Sequence, residues 1–153
     1  MGKITKLRKT DAPALARLHK KCFAQGWSAA DFEGHIQSSA DDVIGFIKDQ
    51  ALCGFIIMRT QFDQSEVLTI AVDSAQRGHG IGAQILKAGE AAATKRGADI
   101  VFLEVAKDNT HAIALYKNAA YQPCGVRPGY YKRKARNGRM GGRIDALLFQ
   151  KQL

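Results

Sequence analysis

The sequence predicts a single α+β domain spanning residues 1–153, with helices flanking one mixed sheet. Three observations predict it. The chain has 153 residues, 46% of them hydrophobic, which suits one core. Apolar spacing switches between strand and helix periods in the order β-α-α-β-β-β-α-β-α-β-β. The central β-α-β stretch demands a right-handed crossover, and so a parallel strand pair.

Lys3 to Arg8 reads as a short first strand. Asp11 is the expected N-cap of a helix with Pro13 in its first turn, and Ala14, Leu15, Leu18, Cys22 and Phe23 follow at helical spacing. Gly26 breaks that pattern. Ser28 caps a second helix carrying Phe32, His35 and Ile36 on one side. Val43 to Lys48 and Leu52 to Arg59 are rich in Ile, Val and Phe, and the polar Asp49-Gln50-Ala51 between them predicts a hairpin. Val67 to Val72 is an apolar run suited to a strand buried on both faces. A glycine-rich turn, Ala75 to Gly82, opens a helix through Ala83, Ile85, Leu86, Ala88, Ala91 and Ala92 that ends near Gly97. Asp99 to Val105 is the next strand. Asn109 caps a helix bearing Ile113, Leu115, Tyr116 and Ala119. Tyr121 to Val126 and Ile144 to Phe149 read as the last two strands, joined by a basic segment, Pro128 to Gly142, expected as a mobile loop.

Composition narrows the function. No apolar run approaches the ~18 residues of a membrane helix. Met1 to Lys6 lacks the apolar stretch of a secretory signal. Cys22, Cys53 and Cys124 are three widely spaced cysteines, which excludes a disulfide framework and a CxxC metal site and fits a reducing cytoplasm. His19, His35, His79 and His111 form no HExxH, so no metal is expected. The formal net charge is +9, and from Val126 to Leu153 eight cations face one anion, Asp145. Such a segment fits an anionic partner (a phosphate-bearing cofactor, RNA or an acidic peptide) and equally a solubilising loop.

The glycine turn carries the sharpest signal. The first backbone N–H groups of a helix lack internal partners, and the helix dipole adds positive potential there. Gly78, Gly80 and Gly82 let such amides approach a phosphate without Cβ obstruction, and Arg77 adds a fixed charge. No Lys-Ser/Thr pair follows, so this is not a Walker loop. A loose dinucleotide pattern, Gly78-x-Gly80-x-x-Ala83, is opposed by the gap between the strand and the first glycine.

Arg77-Gly78-His79-Gly80-Ile81-Gly82 resembles the R/Q-x-x-G-x-G/A acetyl-CoA signature of the GNAT N-acetyltransferases. Leu68 to Val72 precedes it, and Leu103-Glu104-Val105 and Asn109-x-x-Ala112-x-Ala114-Leu115-Tyr116 follow it, as in the RimI-like branch, the ribosomal-protein-alanine N-acetyltransferases. Gly129-Tyr130-Tyr131 and Asp145-Ala146 extend the likeness. The resemblance implies the GNAT fold, a twisted and mostly antiparallel sheet with one splayed parallel strand pair. The family's Leu-Tyr-x-x-x-Gly-Phe ends here as Ala119-Ala120-Tyr121, so a different helix exit is expected. The basic stretch from Lys132 to Gly142 is longer than the branch leads one to expect.

The resemblance also implies roles. Acetyl-CoA is the acetyl donor, held by Arg77, Gly78, His79, Gly80, Ile81 and Gly82, by main-chain groups of Ile70, Ala71 and Val72, and by Asn109 at the pantetheine arm. Glu104 is the proton acceptor for the incoming amine and Tyr116 the proton donor to the departing thiolate. Read from the residues alone, Glu104 is equally a surface charge facing Lys107, Tyr116 an aromatic packed on the sheet, and Asn109 a plain helix cap. Tyr130 and Tyr131 are expected to wall one side of the acceptor site, with Trp27 and Phe32 opposite. The expected acceptor is the N-terminal α-amine of a protein, with a ribosomal protein among the candidates, in the cytoplasm. Alternatives are a small amine or lysine acceptor, or an RNA- or ribosome-binding module that uses the basic segment.

Overall fold

A computed structural model describes residues 2–132 and 142–153. Its elements are β1 (Lys3–Lys6), α1 (Ala12–Cys22), α2 (Ala29–Gln37), β2 (Asp41–Lys48), β3 (Ala51–Gln61), β4 (Gln64–Val72), α3 (Ile81–Lys95), β5 (Ile100–Ala106), α4 (Thr110–Asn118), β6 (Gln122–Lys132) and β7 (Arg143–Gln152). The strands form one sheet in the order β1-β2-β3-β4-β5-β7-β6. Each neighbouring pair is antiparallel except β4 and β5, which the α3 crossover makes parallel. This is the mixed, mostly antiparallel sheet expected.

Local chemistry explains the boundaries. Ser28 Oγ accepts from the Asp31 amide at 3.1 Å while Asp31 accepts from the Ser28 amide at 2.8 Å, a reciprocal cap that starts α2. Asp11 does not cap α1 as expected. Its carboxylate accepts from the Arg8 amide at 2.7 Å and closes a 3₁₀ turn, Lys9–Asp11, so α1 begins at Ala12. The β2–β3 turn is the two residues Asp49 and Gln50, both at positive φ, whose twist matches the flanking strands.

The sheet carries a core on each face. Leu15, Leu18 and Phe32 from α1 and α2 pack on Phe55 and Ile57. Ile85 and Leu86 of α3 and Tyr116 of α4 pack on Ile56, Met58, Val101, Leu103 and Phe149. Consecutive residues of β3 thus serve opposite cores, as side-chain alternation requires. Each such fully buried side chain contributes roughly 1.5–3 kcal/mol. A Cβ on Gly89 would stand 2.9 Å from Met58, so glycine there lets α3 lie close to the sheet.

Two expectations are corrected. Val67 to Val72 is not buried on both faces: Leu68, Ile70 and Val72 are only half-buried, because β5 turns away from β4. The stretch from Pro128 to Lys132 is not loop but the end of β6. β6 is an edge strand with register shifts at Pro123/Gly125 and Arg127/Tyr131, the setting in which a sheet tolerates proline. Of the basic segment, residues 133–141 lie outside the described residues.

Candidate active site

The β4–β5 ladder has only three pairs, Gln64 with Ile100, Ser65 with Val101 and Glu66 with Phe102. Beyond Glu66 the β3–β4 register shifts between Ile57 and Met58, which leaves Leu68 as an extra residue and bends β4 away from β5. A cleft of about 550 Å³ fills the gap, lined by Val67 to Val72 on one side and Glu104 to Ala106 on the other. The Asp73 amide bonds to the Cys53 carbonyl on the β3 side. Alternation then turns the backbone N–H and C=O of Val72 and Ile70 toward the gap, and those of Ala71 toward β3. The same argument from the Lys107 amide on the Asp145 carbonyl turns Glu104 and Ala106 to the gap. The floor of the cleft is therefore a run of backbone groups with no strand opposite.

The glycine turn closes one end. Gly78 and Gly80 have φ of 83° and 75°, a region costly for other residues, and a Cβ at either would point into open space. The first α3 bond runs from the Gln84 amide to the Gly80 carbonyl, so the amides of Ile81, Gly82 and Ala83 are free at the helix start. Arg77, Gly78, Gly80, Ile81 and Gly82 all line the cleft. His79 does not; it is exposed, with Nδ1 3.1 Å from the Gln76 carbonyl. Asn109 lines the cleft and accepts the Ala112 amide at 3.2 Å, so it caps α4 from a position open to a ligand. This open cradle of amides beside a fixed cation fits a phosphate-bearing ligand with a slender arm laid along the floor.

Glu104 ends the apolar part of β5, its side chain on the face that α1 and α2 leave uncovered. It lines both the cleft and a second groove of about 800 Å³ on that face. Its carboxylate pairs not with Lys107 but with Arg127, Oε1 to guanidinium at 2.9 Å. Burial, and then the neighbouring Glu104 carboxylate, raises the carboxyl of Glu66 above its ordinary range. Tyr116 is buried against the sheet and lines the cleft, and burial pushes its phenol well above the ordinary tyrosine value, keeping its proton. Tyr131 is half-buried and lines the cleft; burial and then Glu104 raise its phenol too.

The expected acceptor walls are only partly brought together. Phe32 is a correction: its side chain is fully buried in the α1–α2 core and lines neither the cleft nor the groove beside it. Trp27 stacks between His19 and His35, with centroids at 5.0 and 5.1 Å, and does not line the cleft. Cys22 and Phe23, one turn earlier, line it instead. Tyr130 is exposed, and the Arg127 guanidinium lies 5.5 Å from its ring centre. The sequence reading missed Arg127, whose only signal is a cation four residues before Tyr131 on an edge strand. Among the described residues, no three His, Cys, Asp or Glu side chains converge as a metal site.

Comparison with known proteins agrees with this geometry. The chain is 34% identical over 132 residues to the N-alpha-acetyltransferase RimI of Mycobacterium tuberculosis, covering 82% of each. It is also 34% identical to the uncharacterized protein ML0378 of Mycobacterium leprae, of whose length it spans 36%. Among solved structures, that of the ribosomal-protein-S18-alanine N-acetyltransferase from Escherichia coli superposes with a TM-score of 0.88 at 27% identity, covering 99% of this chain and 94% of that one. Residues 12–121 match the sequence model of one family over its diagnostic glycine turn, splayed strands and α4. The chain belongs to the Acetyltransferase (GNAT) family.

Proposed function

We propose that the chain is an acetyl-CoA-dependent N-acetyltransferase whose acceptor is the N-terminal α-amine of a protein, of the ribosomal-protein-alanine kind. The observation that carries this reading is that Glu104 and Tyr116 flank the same cleft that the free amides of α3 close. The similar proteins from M. tuberculosis and E. coli support the choice of acceptor.

Acetyl-CoA supplies the activated thioester. The amides of Ile81, Gly82 and Ala83, with Arg77, hold its phosphates by charge and by hydrogen bonds. Backbone groups of Ile70 and Val72 lie along the arm, and an N–H among them stabilises the negative charge that develops on the carbonyl oxygen. Asn109 adds a polar contact there. An α-ammonium has a pKa of about 7.7–8.0, so one carboxylate suffices to take its proton near neutral pH. Glu104 does so directly or through a water. The amine nitrogen then bonds to the carbonyl carbon, the carbon–sulfur bond breaks, and Tyr116 gives its proton to the departing sulfur. Tyr131 and, at the rim, Tyr130 steady the acceptor backbone through their hydroxyls. Contact of residues 132–142 with RNA or an acidic partner is a second, weaker interaction in this reading. No described helix is long and apolar enough to cross a membrane, and a cytoplasmic site of action fits the acceptor.

The test compares three acceptors with purified protein and acetyl-CoA. They are a short peptide with a free N-terminal alanine, the same peptide blocked at its N-terminus with a lysine inside, and spermidine. The free-alanine peptide is expected to react fastest. Preference for either of the others overturns the α-amine assignment.

A further inference from the structure

We propose that Arg127 is a positioning residue for Glu104, its guanidinium holding Oε1 so that Oε2 is presented to the acceptor amine. The inference rests on the reading of Glu104 as proton acceptor. Geometry carries it. β7 lies between β5 and β6, so Arg127 must reach across a whole strand to Glu104. In register, Arg127 stands opposite Ala146, and Ala146 opposite Ala106. Directly opposed residues share a face, so β7 presents Ala146 opposite Arg127 and Leu148 opposite Glu104 on the face the two side chains share. The small Ala146 leaves room for the arginine stem to reach past Leu148 to the 2.9 Å contact. The Tyr130 ring, 5.5 Å from the guanidinium carbon, supports the cation from the other side.

The surrounding charges make the pairing selective. From β3, Arg59 faces the same groove, but its Nε and Nη2 already donate to Asp41 at 2.7 and 2.9 Å, a bidentate pair that holds its charge there. From β4, Glu66 brings a second carboxylate toward Glu104. From β6, Tyr131 is a half-buried phenol that burial keeps protonated, Tyr130 an exposed ring, and Cys124 an exposed thiol lining the groove. Asp145 of β7 accepts the Gly129 amide at 2.9 Å. Two carboxylates thus approach each other, and Arg127 is the cation that faces them without a competing carboxylate partner among the described ion pairs. Without it, nothing offsets the repulsion between the two carboxylates, and Glu104 loses its aim. Arg127 does not line the cofactor cleft, which separates this role from donor binding.

The experiment compares Arg127→Met, Arg127→Lys, Glu104→Gln and the Glu104→Gln/Arg127→Met double variant, with thermal melts to verify folding. Arg127→Met is expected to lower kcat by up to about 10²-fold, the size of a misplaced catalytic group. Acetyl-CoA affinity and acceptor KM stay unchanged, so the loss falls on kcat. Arg127→Lys keeps the charge without the planar guanidinium, so it loses part of that rate. The double variant is no slower than Glu104→Gln. Undiminished kcat in Arg127→Met, beside a crippled Glu104→Gln, overturns the positioning role alone. A loss confined to acceptor KM overturns it too, because Arg127 then touches the acceptor. Full activity in Glu104→Gln instead overturns the underlying reading. Should Arg127→Met fail to fold, Arg127→Lys decides: a rate equal to the unaltered chain refutes the role of the guanidinium.

Discussion

The rings of Tyr116 and Tyr121 meet edge to face at 5.8 Å, and Tyr121 donates its hydroxyl proton to Glu90 at 2.8 Å. Lys151 holds the same carboxylate at 3.0 Å. The proposed proton donor is thus backed by an aromatic that two charged groups keep in place. Tyr116→Phe preserves this packing and removes only the hydroxyl. Its kcat should fall by roughly 10²–10⁴ with acetyl-CoA binding little changed. Because burial raises the Tyr116 phenol above 10, the phenol stays protonated below that pH. The shape of the rate profile up to pH 10 should therefore be the same in both proteins, and steady-state kinetics across that range checks it.

Gly82→Glu should abolish acetyl-CoA binding in a folded protein. The new side chain begins 3.4 Å from Leu115, a contact that small shifts relieve, and its carboxylate enters the site proposed for phosphate. An acidic residue in the first turn favours the helix itself, so loss of binding is not loss of fold. Calorimetric titration beside circular dichroism separates the two.

Ala120→Gly should stabilise the chain. The branch's glycine is absent here, yet the chain still leaves α4 through a left-handed residue: Ala120 has φ of 70°, and the Tyr121 amide returns to the Tyr116 carbonyl at 3.0 Å. A left-handed L-residue costs about 1–2 kcal/mol. Glycine removes that cost and loses roughly 0.5–1 kcal/mol of chain entropy. A denaturant titration should show a net gain of about 0.5–1 kcal/mol.

Acid should weaken the fold through Asp41. Burial works against its charge, but hydrogen bonds from Arg59 and His35 outweigh burial and hold its carboxyl below the ordinary range. A depressed native value contributes stability above the unfolded-state pKa of about 3.9, and that stability is lost as pH falls through the native value. Asp41→Asn should cost roughly 1.5–3 kcal/mol at neutral pH, the size of hydrogen bonds to a charged group, because Arg59 is partly exposed and can turn to water. The gap between the two proteins should close in melts run at progressively lower pH.

Fold and cleft were legible in the sequence where local chemistry decides them. The Ser28 cap, the glycine turn before Ile81 and the Asn109 cap are written in adjacent residues, and periodicity marks the strands. Phe32 was misjudged because helical spacing says only that one side is apolar, and the facing Phe55 lies 23 positions away. Nearness in the chain offers Lys107 as the alternative partner of Glu104. The pairing instead depends on β7 inserting between β5 and β6, a long-range choice that no local pattern records. The end of β6 was read as loop because Pro128 and Gly129 are turn residues, and edge strands accept them.

Within the sheet, three ladder pairs and the Asp99 amide on the Asp63 carbonyl are the backbone seam between one half, β1 to β4, and the other. A molecule lying in the gap occupies the place of the rungs that are missing, so filling the site also completes the architecture. Occupancy and unfolding then draw on one equilibrium. At a ligand concentration 100 times its Kd, the native state gains about 2.7 kcal/mol. The melting temperature of this chain is accordingly a gauge of donor supply, rising when acetyl-CoA is plentiful and falling when it is scarce.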